Sequence, residues 1–127
     1  MTKQVHPGIY QGVLFAPPSK SVSQRALILS MFAKGKSNIK NFGSSTDELT
    51  LLSAIKKCGA KVEYVKPNEL VVEGLSSLDF SQHISIEESG LAFRLLIPCL
   101  ALSTRVNTIE ALGSLQNRPM QFYLEIL

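Results

Sequence analysis

The stretch PPSKSVSQRAL, residues 17–27, joins a pair of prolines to a polar helix start that contains two cations. Proline disfavours helix in the residue before it and is tolerated in a first turn, so a helix is expected to begin just after Pro18. A helix N-terminus exposes unpaired backbone N–H groups and the positive end of the macrodipole. Lys20 and Arg25 add positive charge there. The stretch therefore predicts an anion-binding site for a small phosphate or carboxylate ligand.

Composition and charge narrow the class of protein. The chain has 127 residues, of which 45% are hydrophobic and 18% charged, which is typical of one globular domain or a piece of a larger protein. Its net charge of +3 comes from scattered lysines and arginines, so a nucleic-acid surface is not expected. Cys58 and Cys99 have no metal-ligand or disulfide spacing, which favours buried thiols in a cytoplasmic protein. No segment has the length of apolar sequence that a membrane span or signal peptide needs.

Hydrophobic periodicity predicts alternating strands and helices outward from this stretch. Residues 11–15 are expected to form a short strand before it. The spacing of Val22, Ala26, Leu29 and Ala33 predicts the apolar face of the first helix, which ends near Gly35. Residues 37–42 alternate like a half-buried strand.

The rest of the chain continues the same alternation. Ser45 to Glu48 match a capping box that opens a second helix, closed at Gly59. Residues 61–65 and 70–72 predict a hairpin, and residues 84–86 a new strand. A third helix is expected from Ser89-Gly90 to about Leu102 with Pro98 inside it, followed by a strand at 106–109 and a helix start at 119–127. The predicted fold class is α/β (α+β), with one βαβαββ unit and part of a second.

Residues 19–27, SKSVSQRAL, resemble the Ser-Lys-Ser-x-Ser-Asn-Arg-Ala-Leu signature of the EPSP synthase family, the 3-phosphoshikimate 1-carboxyvinyltransferases of the shikimate pathway. Further blocks occur in the family's order: STDEL at 45–49, SGLAFR at 89–94, and 113–119 with its Arg-Pro ending. Glu88 replaces the usual asparagine and Leu91 the usual threonine, whereas Gly90 is retained. The resemblance extends from Leu14 to about Met120.

The resemblance implies a fold, an activity and a set of partners. The family has two domains of three βαβαββ units each, the inverse α/β barrel of enolpyruvyl transferases. Residues 1–127 would be a partial first domain, with residues 1–15 as an N-terminal strand that packs on the second domain. The implied reaction transfers the enolpyruvyl group of phosphoenolpyruvate to the 5-hydroxyl of shikimate 3-phosphate. It implies no metal or cofactor, no nucleic acid and no membrane, and an intact enzyme that is a cytoplasmic monomer.

The resemblance also implies roles for particular residues. Lys20 would contact phosphoenolpyruvate, Ser21 and Arg25 would hold shikimate 3-phosphate, and Gly90 and Arg118 would help to bind phosphoenolpyruvate. The acid–base residues would come from a portion that this chain does not contain, so no catalytic residue is assigned.

From the residues alone, each of these positions has a structural alternative. Ser21 with Gln24 matches a capping box, Gly90 fits a simple helix cap, and Arg118 fits a solvated loop charge. Asp47 and Arg94 are not assigned, since Arg94 could pair with Glu87, Glu88 or Asp47 to hold a helix start in place. His6 and His83 have no partner at a spacing that indicates catalysis or metal binding.

Two other functions compete with this interpretation. The related UDP-N-acetylglucosamine enolpyruvyl transferases share the architecture but have Lys-Asn in the corresponding block. An RNA- or phosphoprotein-binding module would need clustered cations with stacking aromatic side chains. The sequence argues against such a module, because Phe15, Phe32 and Phe42 lie where core is expected.

Overall fold

The computed structural model describes residues 2–126 and shows alternating helices and strands. The helices are α1 (Lys20–Phe32), α2 (Thr46–Lys57), α3 (Gly90–Ala101) and α4 (Gln121–Ile126), with a 3₁₀ turn at Gly113–Asn117. The strands are β1 (Lys36–Lys40), β2 (Lys61–Lys66), β3 (Glu69–Glu73), β4 (His83–Ile86) and β5 (Thr108–Ala111). The α/β fold class predicted from the sequence is confirmed. Met1 and Leu127, which end two of the predicted ranges, lie outside the described residues.

The strands form two small sheets. One is antiparallel in the order β1-β3-β2, and β2 and β3 are the predicted hairpin. The other pairs β4 with β5 in parallel, with α3 as the crossover between them. Parallel strands need such a crossover, because a short turn cannot return the chain to the same end of the sheet.

One continuous core joins the helices to both sheets. α1 packs on α2 and α3, and the strands contribute the alternating apolar residues that face the helices. The fully buried side chains include Leu27, Met31, Leu51, Ile55, Leu70, Val72, Ile84, Ile86 and Leu96. The helix N-termini are thereby held at fixed positions relative to each other.

The predicted strand at residues 11–15 is wrong. The segment forms no strand, and the side chains of Val13, Leu14 and Phe15 are 87–91% exposed. A strand requires a hydrogen-bonding neighbour, and none of the described strands pairs with these residues. The first unit therefore begins at α1 and lacks the opening strand of the predicted βαβαββ order. The sequence predicts Phe15, Phe32 and Phe42 as core residues. Phe42 is buried, but Phe15 and Phe32 are exposed.

The predicted apolar face of α1 is also wrong. Val22 is 62% and Leu29 73% exposed, and the buried residues are Ser23, Gln24, Leu27, Ser30 and Met31. The buried face thus combines two large apolar side chains, Leu27 and Met31, with three polar ones. Of the polar ones, the Ser30 hydroxyl donates to the Leu27 carbonyl at 2.8 Å. Contact with neighbouring helices, rather than hydrophobicity alone, decides which face is buried.

The α2 capping box predicted at Ser45 is confirmed and is centred on a buried carboxylate. Glu48 is 2% exposed, and its carboxylate accepts the backbone N–H groups of Gly43 and Ser45, each at 3.1 Å. Burial opposes ionisation, but hydrogen bonds from the Ser45 and Ser23 side chains and from the two backbone N–H groups outweigh it, so the pKa of Glu48 is lowered. The loop before α2 thus folds around the ionised carboxylate of Glu48.

A proline inside α3 helps to attach α4. Pro98 has no backbone N–H, so it cannot donate to the Arg94 carbonyl one turn earlier. The Tyr123 hydroxyl donates to that carbonyl at 3.2 Å instead. The expected weak point of α3 is therefore a docking point for the next helix.

Glu48→Gln should destabilise the protein by about 1–3 kcal/mol at neutral pH, because buried donors lose an ionised acceptor. The folded pKa is lowered, so this stabilisation is present above the unfolded-state pKa and disappears as the pH falls through the folded pKa. Urea unfolding of both proteins at neutral and strongly acidic pH measures the difference, with exposed Glu63→Gln as the control. A difference that stays constant down to strongly acidic pH would contradict the role of the ionised carboxylate.

Candidate anion-binding site

The start of α1 places Lys20 beside the start of α2. Ser19 is the N-cap residue of α1, and the ammonium of Lys20 forms an ion pair with Asp47 Oδ2 at 2.7 Å. The Lys20 side chain is 54% exposed, so the ammonium can still reach a ligand. Ser21 lies inside the first turn rather than at the cap, so the capping-box alternative for Ser21 is wrong.

A buried glutamine brings three helix starts together. Gln24 on α1 donates through Nε2 to the Ser89 hydroxyl at 2.9 Å and to the Asp47 carbonyl at 3.1 Å. Ser89 is the N-cap residue of α3 and accepts the Ala92 backbone N–H at 3.3 Å. Asp47 lies in the first turn of α2. Because a helix N-terminus carries partial positive charge, these starts create a shared electropositive edge.

Gly90 and Arg118 meet at the start of α3. A Cβ added to Gly90 would lie 2.5 Å from Arg118 Nη1, so the absent side chain is what lets the guanidinium approach the helix start. Buried Leu115 anchors the preceding 3₁₀ turn, and the Arg118 N–H donates to its carbonyl at 3.1 Å. Gly90 is thus more than a helix cap, and Arg118 is held near it rather than extended from a free loop.

Glu88, just before the start of α3, is hydrogen-bonded to the 3₁₀ turn that precedes Arg118. Its carboxylate accepts the Ser114 hydroxyl at 2.5 Å and the Ser114 N–H at 3.2 Å. These hydrogen bonds, with a lesser contribution from the positive charge of Arg118, lower the pKa of Glu88 and outweigh the opposing effects of burial and Asp47. In the sequence Glu88 stands out only as a departure from the family pattern, and its contact with Ser114 was not predicted. The only local signal was an acidic residue just before the Ser89-Gly90 helix start.

Arg25 and Arg94 lie apart from these contacts. The Arg25 guanidinium is exposed and makes a long 3.4 Å hydrogen bond to the Ser21 carbonyl of its own helix. Within residues 2–126, neither arginine forms an ion pair, so the pairing considered for Arg94 with Glu87, Glu88 or Asp47 is not found. The structure therefore joins Lys20 to Asp47 and Gly90 to Arg118, and leaves Arg25 open to solvent one turn above Ser21.

The structure also describes the surroundings of His83 and of the two cysteines. The part of the chain that the structure describes has no cluster of histidine, cysteine and acidic side chains placed to hold a metal. His83 pairs with Glu110 at 3.3 Å on the exposed side of the β4-β5 sheet. Burial raises the pKa of both Cys58 and Cys99 to about 11, so both thiols stay protonated near neutral pH. Between residues 2 and 126, none of the helices has the length and hydropathy needed to cross a bilayer.

The fold is α/β, and the starts of α1, α2 and α3 meet at one edge of it. The family model for EPSP synthase (3-phosphoshikimate 1-carboxyvinyltransferase) matches residues 6–127, and the chain belongs to this family.

Relatives and solved structures agree with this assignment. The chain is 35% identical over 125 residues to the 3-phosphoshikimate 1-carboxyvinyltransferase of Clostridium perfringens, covering 96% of this chain and 29% of the relative. It is 36% identical over 114 residues to that of Thermodesulfovibrio yellowstonii, covering 87% and 26%. The solved EPSP synthase from Acinetobacter baumannii matches with a TM-score of 0.74 and 26% identity, over 87% of this chain and 26% of that one. The chain spans less than a third of the length of these proteins.

Gly90→Ala should weaken inorganic phosphate binding about tenfold, because the new methyl displaces a charged donor from the site. Folding should be little affected, since the atom displaced is the far end of a flexible side chain. Backbone amide shifts during a phosphate titration, together with thermal unfolding, measure both effects. Gly12→Ala is the matched control, because its Cβ would meet nothing within 4 Å. Equal phosphate affinity in the two variants would contradict the Gly90 contact.

The Ser114 amide resonance should titrate with pH, because protonation of Glu88 breaks its bonds to Ser114. The midpoint should lie below the usual pKa of a glutamate side chain, because those bonds stabilise the ionised form. The ionised form makes these contacts, so they are intact above that midpoint and lost below it. An NMR pH titration of the chain measures the midpoint, and Glu88→Gln should remove the transition. A Ser114 amide that does not respond to acid would show that Glu88 does not hold the turn.

Proposed function

We propose that this chain forms one wall of the substrate cleft of an EPSP synthase. The enzyme would transfer the enolpyruvyl group of phosphoenolpyruvate to the 5-hydroxyl of shikimate 3-phosphate, giving EPSP and phosphate. The observation that carries the proposal is the convergence of the Lys20, Asp47 and Gly90 helix starts, with Arg118 held over one of them. Both substrates are multiply charged anions, which such an edge suits.

Each proposed binding residue has a physical role at this edge. Lys20, which Asp47 holds in place through an ion pair, supplies a compact charge that would contact phosphoenolpyruvate. Arg118 offers a planar donor fork beside the α3 start, where Gly90 leaves space for it. Ser21 and the exposed Arg25 lie on the first turns of α1 and would hold the phosphate of shikimate 3-phosphate. These groups offset the negative charge that accumulates as the two substrates approach each other.

The reaction also needs proton transfers at the methylene carbon of phosphoenolpyruvate and at the substrate hydroxyl, through a tetrahedral intermediate that loses phosphate. The described residues place no acid–base pair at this edge beyond the ion-paired Asp47 and the hydrogen-bonded Glu88. We assign the proton-transfer groups to the portion of the enzyme that this chain does not span. The chain alone should bind anions without turning over the substrates.

The same proposal covers domain organisation and location. Residues 1–127 would belong to a partial first domain, and residues 1–15 would pack on another part of the enzyme, which would cover the exposed Val13, Leu14 and Phe15. The intact enzyme would be a cytoplasmic monomer that does not bind nucleic acid. The buried, protonated thiols and the scattered basic residues support this location and this lack of a nucleic-acid partner.

An NMR titration of the chain with shikimate 3-phosphate tests the proposal. Saturable amide shifts are expected around residues 19–26, and they should be absent with shikimate, which lacks the phosphate. Arg25→Ala should weaken binding about tenfold or more, because it removes a charge-assisted contact to the phosphate, whereas Lys20→Ala, on the proposed phosphoenolpyruvate side, should weaken it less.

Lys56→Ala, at the opposite end of α2, is the control and should bind like the unmodified chain. Equal binding of shikimate and its phosphate ester, or equal loss in the control, would contradict the proposed function. Phosphate release from the two substrates by this chain alone would contradict the assignment of proton transfer to another part of the enzyme.

A further inference from the structure

We propose that Gln24 is a positioning residue of the anion site, whose buried carboxamide fixes the starts of α2 and α3 relative to α1. This inference rests on the proposed function and extends it to a residue that touches neither substrate. Gln24 would set where Asp47 and Gly90 lie relative to Lys20, and so whether the binding groups act on one ligand together.

The geometry of the Gln24 side chain supports this role. Gln24 is completely buried, and its single Nε2 group bridges Asp47 of α2 and Ser89 of α3. The Asp47 carbonyl can only accept a hydrogen bond, so the nitrogen rather than the oxygen of the carboxamide must face it. Both donor hydrogens are then used, one for each neighbouring helix.

The other end of the carboxamide argues against a purely stabilising role. Gln24 Oε1 is buried and has no hydrogen-bond partner among residues 2–126. An unsatisfied buried acceptor lowers stability, and an apolar side chain of the same shape would avoid that cost. The directional hydrogen bonds of the carboxamide nitrogen therefore explain a glutamine at this position better than packing does.

Two consequences connect this bridge to ligand binding. Asp47 orients the Lys20 ammonium at 2.7 Å, so a shift of the α2 start also moves the lysine. Ser89 caps the Ala92 N–H and directly precedes Gly90, so a shift of the α3 start moves the glycine away from Arg118. Without Gln24, the two halves of the site would move independently of each other.

Gln24→Met tests the inference, because methionine keeps the length of the side chain and removes both hydrogen bonds. Hydrogen exchange of the Ala92 amide in the ligand-free chain should accelerate about tenfold, since its Ser89 cap is no longer held. Inorganic phosphate should bind about tenfold more weakly, as judged by the Gly90 amide shift.

Ser30→Ala is the matched control, because Ser30 is another buried polar residue on the same face of α1, and its hydroxyl donates to the Leu27 carbonyl of its own helix. It should leave both readouts unchanged even if it lowers the melting temperature as much as Gln24→Met does. Equal changes in the two variants would overturn the positioning role and leave a structural one.

A measurement on the unmodified chain guards against a variant that does not fold. The Gln24 side-chain NH₂ protons should show nuclear Overhauser contacts to Ser89 and Asp47 and should exchange far more slowly than those of exposed Gln121. Exchange as fast as that of Gln121 would overturn the bridge itself. A bridge that is present in a chain that binds neither phosphate nor shikimate 3-phosphate would instead contradict the proposed function.

Discussion

The site depends on one constraint: a single buried carboxamide on α1 is hydrogen-bonded to the starts of α2 and α3. The 2.9 Å and 3.1 Å bonds from Gln24 fix three electropositive helix ends at one edge of the molecule. The core below holds the helix bodies, but apolar contacts are not directional and would tolerate small sliding. Directional hydrogen bonds remove that freedom at the place where a ligand would need it removed.

Two carboxylates accompany the cations at this edge. Lys20 forms an ion pair with Asp47, and Glu88 accepts a hydrogen bond from Ser114 in the 3₁₀ turn before Arg118. Asp47 thereby holds Lys20 in a defined place before any ligand arrives, which lowers the ordering cost of binding. The two carboxylates also reduce the net positive charge of the edge. An anionic ligand must therefore bind by matching the positions of the donors.

Local patterns predicted most of the elements, and contacts between distant residues explain the errors. The Ser45 capping box, the β2-β3 hairpin and the α3 start at Gly90 follow from residues a few positions apart, and all are confirmed. The strand at 11–15 and the buried face of α1 failed, because pairing and coverage come from other elements. Lys20 and Gly90 were predicted as site residues. Gln24 and Ser89 are 65 positions apart and Glu88 and Ser114 are 26 apart, so neighbouring residues could not identify either bonding partner.

A crystal structure of this chain grown with inorganic phosphate tests the central claim most directly. We predict electron density for one phosphate that contacts the Lys20 ammonium, the Arg118 guanidinium and the backbone N–H groups at the start of α3. Separate anions on Lys20 and Arg118, or helix starts that point to different regions of solvent, would contradict the claim that these helix starts form one anion site.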